Sequence, residues 1–184
     1  GIIADNTLPN VKIKSYNLAY YANQIIYETT IDDNNIRYIE LYRIGDKKSV
    51  LVKEIDDPMM NITFALTEYS NKKYLFITNN NRLFAYSGKN FPVNGQKFNM
   101  KRISENDTGV NPTEAIVSQN NEFAIFRESE RVVVYDTELE EWHEYDNCDS
   151  KVRFLDDYLL YRTDNDSGSF LVWDFDGTNV HTLV

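Results

Sequence analysis

One cysteine, four prolines, seven glycines and two histidines among 184 residues exclude several classes of protein at the outset. Cys148 has no partner for an internal disulfide, and no cysteine cluster has zinc-site spacing. A single thiol leaves both a reducing compartment and an oxidising cell surface open. So little glycine and proline rules out collagen-like and low-complexity chains. No run approaches the roughly 18 apolar residues of a membrane span, and no charged-then-apolar leader opens the chain. Basic residues are also short, with 19 Lys and Arg against 29 Asp and Glu and a formal net charge of -10. Phosphate-backbone binding needs a basic footprint, as does an anionic membrane, so neither nucleic acid nor membrane insertion is expected. The acidity reads as a solvated surface.

What the chain has is aromatic residues, 13 Tyr and 10 Phe, which favour strands, and a pattern that recurs. Four times, an apolar strand is followed across a short polar loop by a second strand that ends on an aromatic. The pairs are "QIIYET" with "IRYIELYRI", "KYLFIT" with "RLFAYS", "EFAIFRE" with "RVVVYDT", and "YLLYRT" with "SFLVWDF". The second aromatics, Tyr42, Tyr86, Tyr135 and Trp173, are spaced by 44, 49 and 38 residues. A period near forty is that of a propeller blade.

Each pair is flanked by further alternating strands. "VKIKSY", "ITFALT", "EAIVS" and "KVRFLD" precede; "SVLVKEI", "KFNMKRI", "EWHEY" and "NVHTLV" follow. Turn residues stand between them, Asp176-Gly177 being the strongest two-residue hairpin signal. No helical stripe is present. A sandwich has no reason to repeat a four-strand module at this period, whereas a blade must, since each packs on its neighbours around an axis. The expected fold is therefore an all-β β-propeller with four blades of four antiparallel strands. The blades are placed at about 11–56, 61–104, 113–147 and 151–184 within a domain 11–184, and residues 1–10 are read as a tag remnant or linker. A closed four-bladed ring, and a monomer, are favoured over half of a larger ring or two halves pairing as a dimer, because a half ring leaves apolar blade faces exposed.

The stretch Asp174, Phe175, Asp176, Gly177, Thr178, Asn179 reads D-x-D-G-x-N. In it the chain resembles bacterial propellers of the TolB and WD-repeat-like kind, whose third strand ends in an aspartate before such a turn; the third copy keeps Tyr135-Asp136 of it. The ending "DFDGTNVHTLV" is similar to envelope proteins in which a propeller follows a membrane anchor and a PEGA domain. That resemblance implies an extracytoplasmic location in the bacterial envelope, with an anchor upstream of Gly1, and no established activity.

No catalytic, metal or cofactor site is read from the residues. "GKNFPVNGQK" has the wrong glycine and lysine spacing for a phosphate-binding loop. "DNDSGS" lacks the third oxygen and the twelfth-position carboxylate of a calcium loop. His143 and His181 fall on the last strands of consecutive blades, where a surface side chain is the ordinary reading. One constellation depends on the fold. Alternation sets Lys12 with Lys14, and Lys151 with Arg153, on one face of the first strands of blades 1 and 4. In a closed ring these groups gather at the channel and attract an anion. The expected function is a non-enzymatic interaction or scaffold module binding a protein or glycan through rim loops, among them Phe91, Asn94, Asn106 and Asp107. The alternative is an anion- or glycan-binding, even glycan-acting, propeller with its site at the channel.

Overall fold

The computed structural model describes residues 11–31, 37–45, 48–55, 62–79, 82–91, 98–107, 112–128, 131–145, 152–163 and 167–183. Every helix or strand among them is a strand, and the strands form four antiparallel sheets of four. The first sheet holds β1 (Val11–Tyr21), β2 (Gln24–Ile31), β3 (Arg37–Arg43) and β4 (Lys48–Ile55). The second holds β5 (Phe64–Tyr69), β6 (Lys72–Asn79), β7 (Arg82–Gly88) and β8 (Lys101–Asn106). The third is β9 (Glu114–Val117), β10 (Phe123–Arg127), β11 (Val132–Asp136) and β12 (Glu141–Tyr145). The fourth is β13 (Arg153–Phe154), β14 (Leu159–Thr163), β15 (Phe170–Asp174) and β16 (His181–Leu183). Neighbours in each sheet are neighbours in sequence, so each sheet is an up-and-down meander.

The hairpins follow from turn chemistry. Tyr69 pairs with Lys72 across Ser70 and Asn71, both at positive φ (50° and 62°), the backbone of a two-residue turn whose twist matches the strands. At the end of β15 the Asp174–Asn179 turn is held by its own side chains. The Thr178 amide and hydroxyl donate to Asp176 Oδ1 at 2.9 and 2.7 Å, and the Asn179 amide donates to Asp174 Oδ2 at 2.5 Å. Gly177 sits at φ +84°, and a Cβ there would stand 2.7 Å from the Tyr145 ring, so glycine is required both by the backbone and by the neighbouring sheet. Asp136 does similar work after β11, its Oδ1 accepting from the Glu138 and Leu139 amides.

Several strands differ from their expected extents, two of them for a reason visible in the packing or the turn. "KFNMKRI" contributes to β8 only from Lys101; Phe98 and Met100 instead pack on the core, Phe98 edge-on to Tyr86 at 5.6 Å. "KVRFLD" keeps only Arg153 and Phe154 as β13, because Asp156 Oδ1 accepts from the Tyr158 and Leu159 amides at 2.8 Å and bends the chain.

The sheets pack face to face in chain order. Ile26, Ile39 and Leu41 of the first meet Leu66, Leu75 and Ile77 of the second. The opposite face of the second, with Phe76, Leu83 and Ala85, meets Phe126, Val133 and Tyr135 of the third. The other face of the third, with Phe123, Ile125 and Val134, meets Leu160 and Trp173 of the fourth. A sheet with neighbours on both sides has no polar face to keep, which is why all of β10 and β11 is buried. Strand β5 lies against both β1 and β9, so the first strands form the inner side of the arc. Among the described residues no apolar cluster joins the fourth sheet to the first.

Candidate functional site

The turn between β1 and β2 and the segment following β7 frame a crevice of about 520 Å³ between the first two sheets. That volume lies in the range of small-ligand sites. Two cations reach it, Arg43 from the end of β3 and Lys73 from the start of β6. Four carboxamides, Asn23, Gln24, Asn90 and Asn99, supply donors and acceptors, and Tyr21 and Phe91 supply rings. The Lys73 ammonium lies 6.0 Å from the centre of the Tyr21 ring and pairs with Glu68, while burial lowers its pKa from the ordinary lysine value.

Gln24 is 5% exposed, and its Oε1 finds no hydrogen-bond partner among the described residues. A buried amide oxygen without a donor costs about 1–3 kcal/mol. The described lining holds neither a carboxylic acid nor a histidine, serine or cysteine; besides Arg43 its titratable side chains are Lys73 and Tyr21.

A second polar cluster lies between the loops of the second, third and fourth sheets and is occupied by the fold itself. The Asn120 amide N–H donates to Asp157 Oδ1 at 2.8 Å, the Asn120 side chain donates to Glu122 Oε2 at 2.8 Å, and the Tyr69 hydroxyl donates to Glu138 Oε2 at 3.2 Å. Among the described residues no group of acids, histidines or cysteines is arranged to hold a metal ion.

The residues singled out from the sequence are dispersed. Lys12 and Lys14 lie on β1, their side chains outside the described part; Lys151 and Asn94 lie outside the described residues. Arg153 is half-buried on β13 and donates to the carbonyl of Val152 at 3.1 Å. Phe91 is buried in the core of the first two sheets and lines the crevice. Asn106 bridges two sheets, its amide donating to Glu144 Oε1 at 3.0 Å, and Asp107 pairs with Arg82 at 3.4 Å. Sequence reasoning reached the loop that carries Phe91 but not Asn23, Gln24 or Arg43, which as single residues at strand ends look like ordinary turn chemistry.

No family model matches the chain, and no curated protein matches it. Solved structures do. The β-propeller domain of the Trilobed protease from Pyrococcus furiosus, described as revealing an open velcro topology, aligns with a TM-score of 0.57 at 13% identity over 96% of this chain. The WD40 domain of SCAP from fission yeast aligns with a TM-score of 0.37 at 12% identity, over 95% of this chain and 48% of its own. The chain spans 58% of the length of the Pyrococcus propeller chain. The likeness establishes a propeller-type fold and nothing of activity.

Proposed function

We propose that this chain is a non-enzymatic recognition module that binds a carboxylate-bearing glycan in the crevice between its first two sheets. The observation that carries the reading is the crevice itself, lined by two cations, four carboxamides and two rings. Arg43 and Lys73 suit a sugar carboxylate, the carboxamides suit hydroxyls, and the faces of Tyr21 and Phe91 suit the apolar side of a pyranose. A propeller-type scaffold fits such a role because its loops stand on rigid sheets. The bacterial envelope is the proposed setting, on the strength of the resemblance carried by the ending "DFDGTNVHTLV".

Calorimetric titration with a hexuronic acid oligosaccharide, and with its carboxyl-reduced neutral counterpart, tests the reading. The acidic sugar is expected to bind and the neutral one to bind at least tenfold more weakly. Arg43→Ala is expected to weaken the acidic sugar by tenfold or more, about 1.4 kcal/mol, while Arg153→Ala leaves it unchanged. Binding lost in Arg153→Ala and kept in Arg43→Ala moves the site to the inner strands and overturns the crevice. No heat from either sugar overturns the glycan reading.

A further inference from the structure

The two end faces of the arc are apolar, and their exposure has a pattern. On the fourth sheet, Leu160 and Trp173 point into the third, and strand alternation turns Leu159, Tyr161, Phe170, Val172 and Leu183 the other way. Register aligns them in rows across the sheet, Arg153–Tyr161–Val172–His181 and Thr163–Phe170–Leu183. Phe170 and Leu183 are 47% and 52% exposed, whereas the equivalent central strands of the third sheet, covered on both sides, are buried throughout. On the first sheet Ile39 and Leu41 point into the second, which turns Ile25, Tyr27, Tyr38, Tyr42 and Leu51 outward, with Leu51 50% exposed. Glu40 and Glu54 share that outer face; Arg153, His181 and Asp174 share the outer face of the fourth sheet. The two ends therefore match in apolar character, and Arg153 on one is a cation for the Glu40 and Glu54 carboxylates on the other.

We propose that these faces are the two halves of one interface and that a second copy of this chain fills it, the outer face of each fourth sheet packing on the outer face of the partner's first sheet. The contact is heterologous, and such contacts form a closed ring when the rotation returns to its start. Four sheets align over just over half the length of a propeller chain, which leaves an arc of similar size to complete the circle. Two copies supply eight sheets, at the upper end of the usual four to eight blades. Each new contact repeats the sheet-on-sheet packing already present three times within the chain, and tyrosine is a residue that interface cores favour.

Light scattering during size-exclusion chromatography of the 184-residue chain tests the pairing. The expected mass is twice the 21.5 kDa of one chain. Phe170→Glu sets a carboxylate against Glu40 and Glu54, and Leu51→Arg sets a cation against Arg153; each variant alone is expected at the mass of one chain. Both sites are exposed, and a cooperative thermal transition confirms that each variant is folded. Mixed in equal amounts, the two variants are expected to return to the doubled mass, because one interface is then unaltered and the other pairs the new Glu with the new Arg. A parent mass of one chain overturns the proposal. So does a Leu51→Arg variant that keeps the doubled mass, since that outcome means pairing through one face only. Glycan binding in the crevice is read separately, because neither substitution lies on the faces that form it.

Discussion

Glu122 shows how far the setting of one residue departs from what its identity suggests. It is 4% exposed, close to Glu138 and Asp136. Burial pushes its carboxyl above the ordinary glutamate range; a hydrogen bond from Tyr158 works against this, and Glu138 and Asp136 push it up further. The folded chain therefore keeps this proton to higher pH than the unfolded chain does. Its stabilising effect is fully present below the ordinary glutamate value and is lost as pH rises through the folded value. Glu122→Gln retains an oxygen for the Asn120 amide and removes the charge. Thermal unfolding across a pH series is expected to give the variant a midpoint roughly 2–4 °C above the parent at neutral pH, equivalent to about 1 kcal/mol in a domain of this size. The gap should close at acid pH. A constant gap at every pH would mean that the carboxyl titrates normally.

At the scale of elements, polar side chains fasten one sheet to the next at chosen points. Arg127, 2% exposed on β10, pairs with Glu114 within its own sheet and donates through Nη1 to the carbonyl of Val152 at 2.8 Å, at the edge of the fourth. Tyr74 does the same between the second and third sheets, donating to the carbonyl of Thr137 at 2.9 Å. Arg127→Leu keeps an apolar stem and removes the donor, with an expected loss of about 1.5–3 kcal/mol in urea unfolding, the range for hydrogen bonds to charged groups. Arg131→Leu, which breaks a partly exposed pair with Glu144 at 3.4 Å, is expected to cost under about 1 kcal/mol. Equal losses from the two would show that the bridge to Val152 contributes nothing.

Strands of this kind are legible because period-two alternation and paired turn residues are local properties. "KYLFIT" and "RLFAYS" appear as β6 and β7, and the Asp174–Asn179 turn closes on its own side chains. The exceptions arise where packing between sheets overrides local pattern, as when Phe98 leaves the expected strand for the ring of Tyr86. The crevice was not legible for a related reason. Asn23, Arg43, Lys73 and Asn90 come from two meanders and meet only once the first two sheets have packed, so no spacing along the chain announces them.

For the whole molecule, the order of the sheets implies an order of stability. The third sheet is covered on both faces, and β10 and β11 pair over five residues each way, from Phe123↔Asp136 to Arg127↔Val132. The fourth is covered on one face, and its outermost strands are short, β13 with two residues and β16 with three. The first sheet is also an end, but its strands run from seven to eleven residues, so more backbone pairing holds it. Opening that exposes little buried apolar surface costs least, so the arc should fray from its fourth sheet inward. In native-state hydrogen exchange at low protein concentration, the amides of β16 and β14 are expected to exchange through local opening while those of β10 and β11 exchange only with global unfolding. If the second copy covers the fourth sheet, raising the concentration should slow exchange in β15 and β16 and leave β10 and β11 unchanged. Uniform protection across all four sheets at low concentration would mean that the end faces are already closed within a single chain.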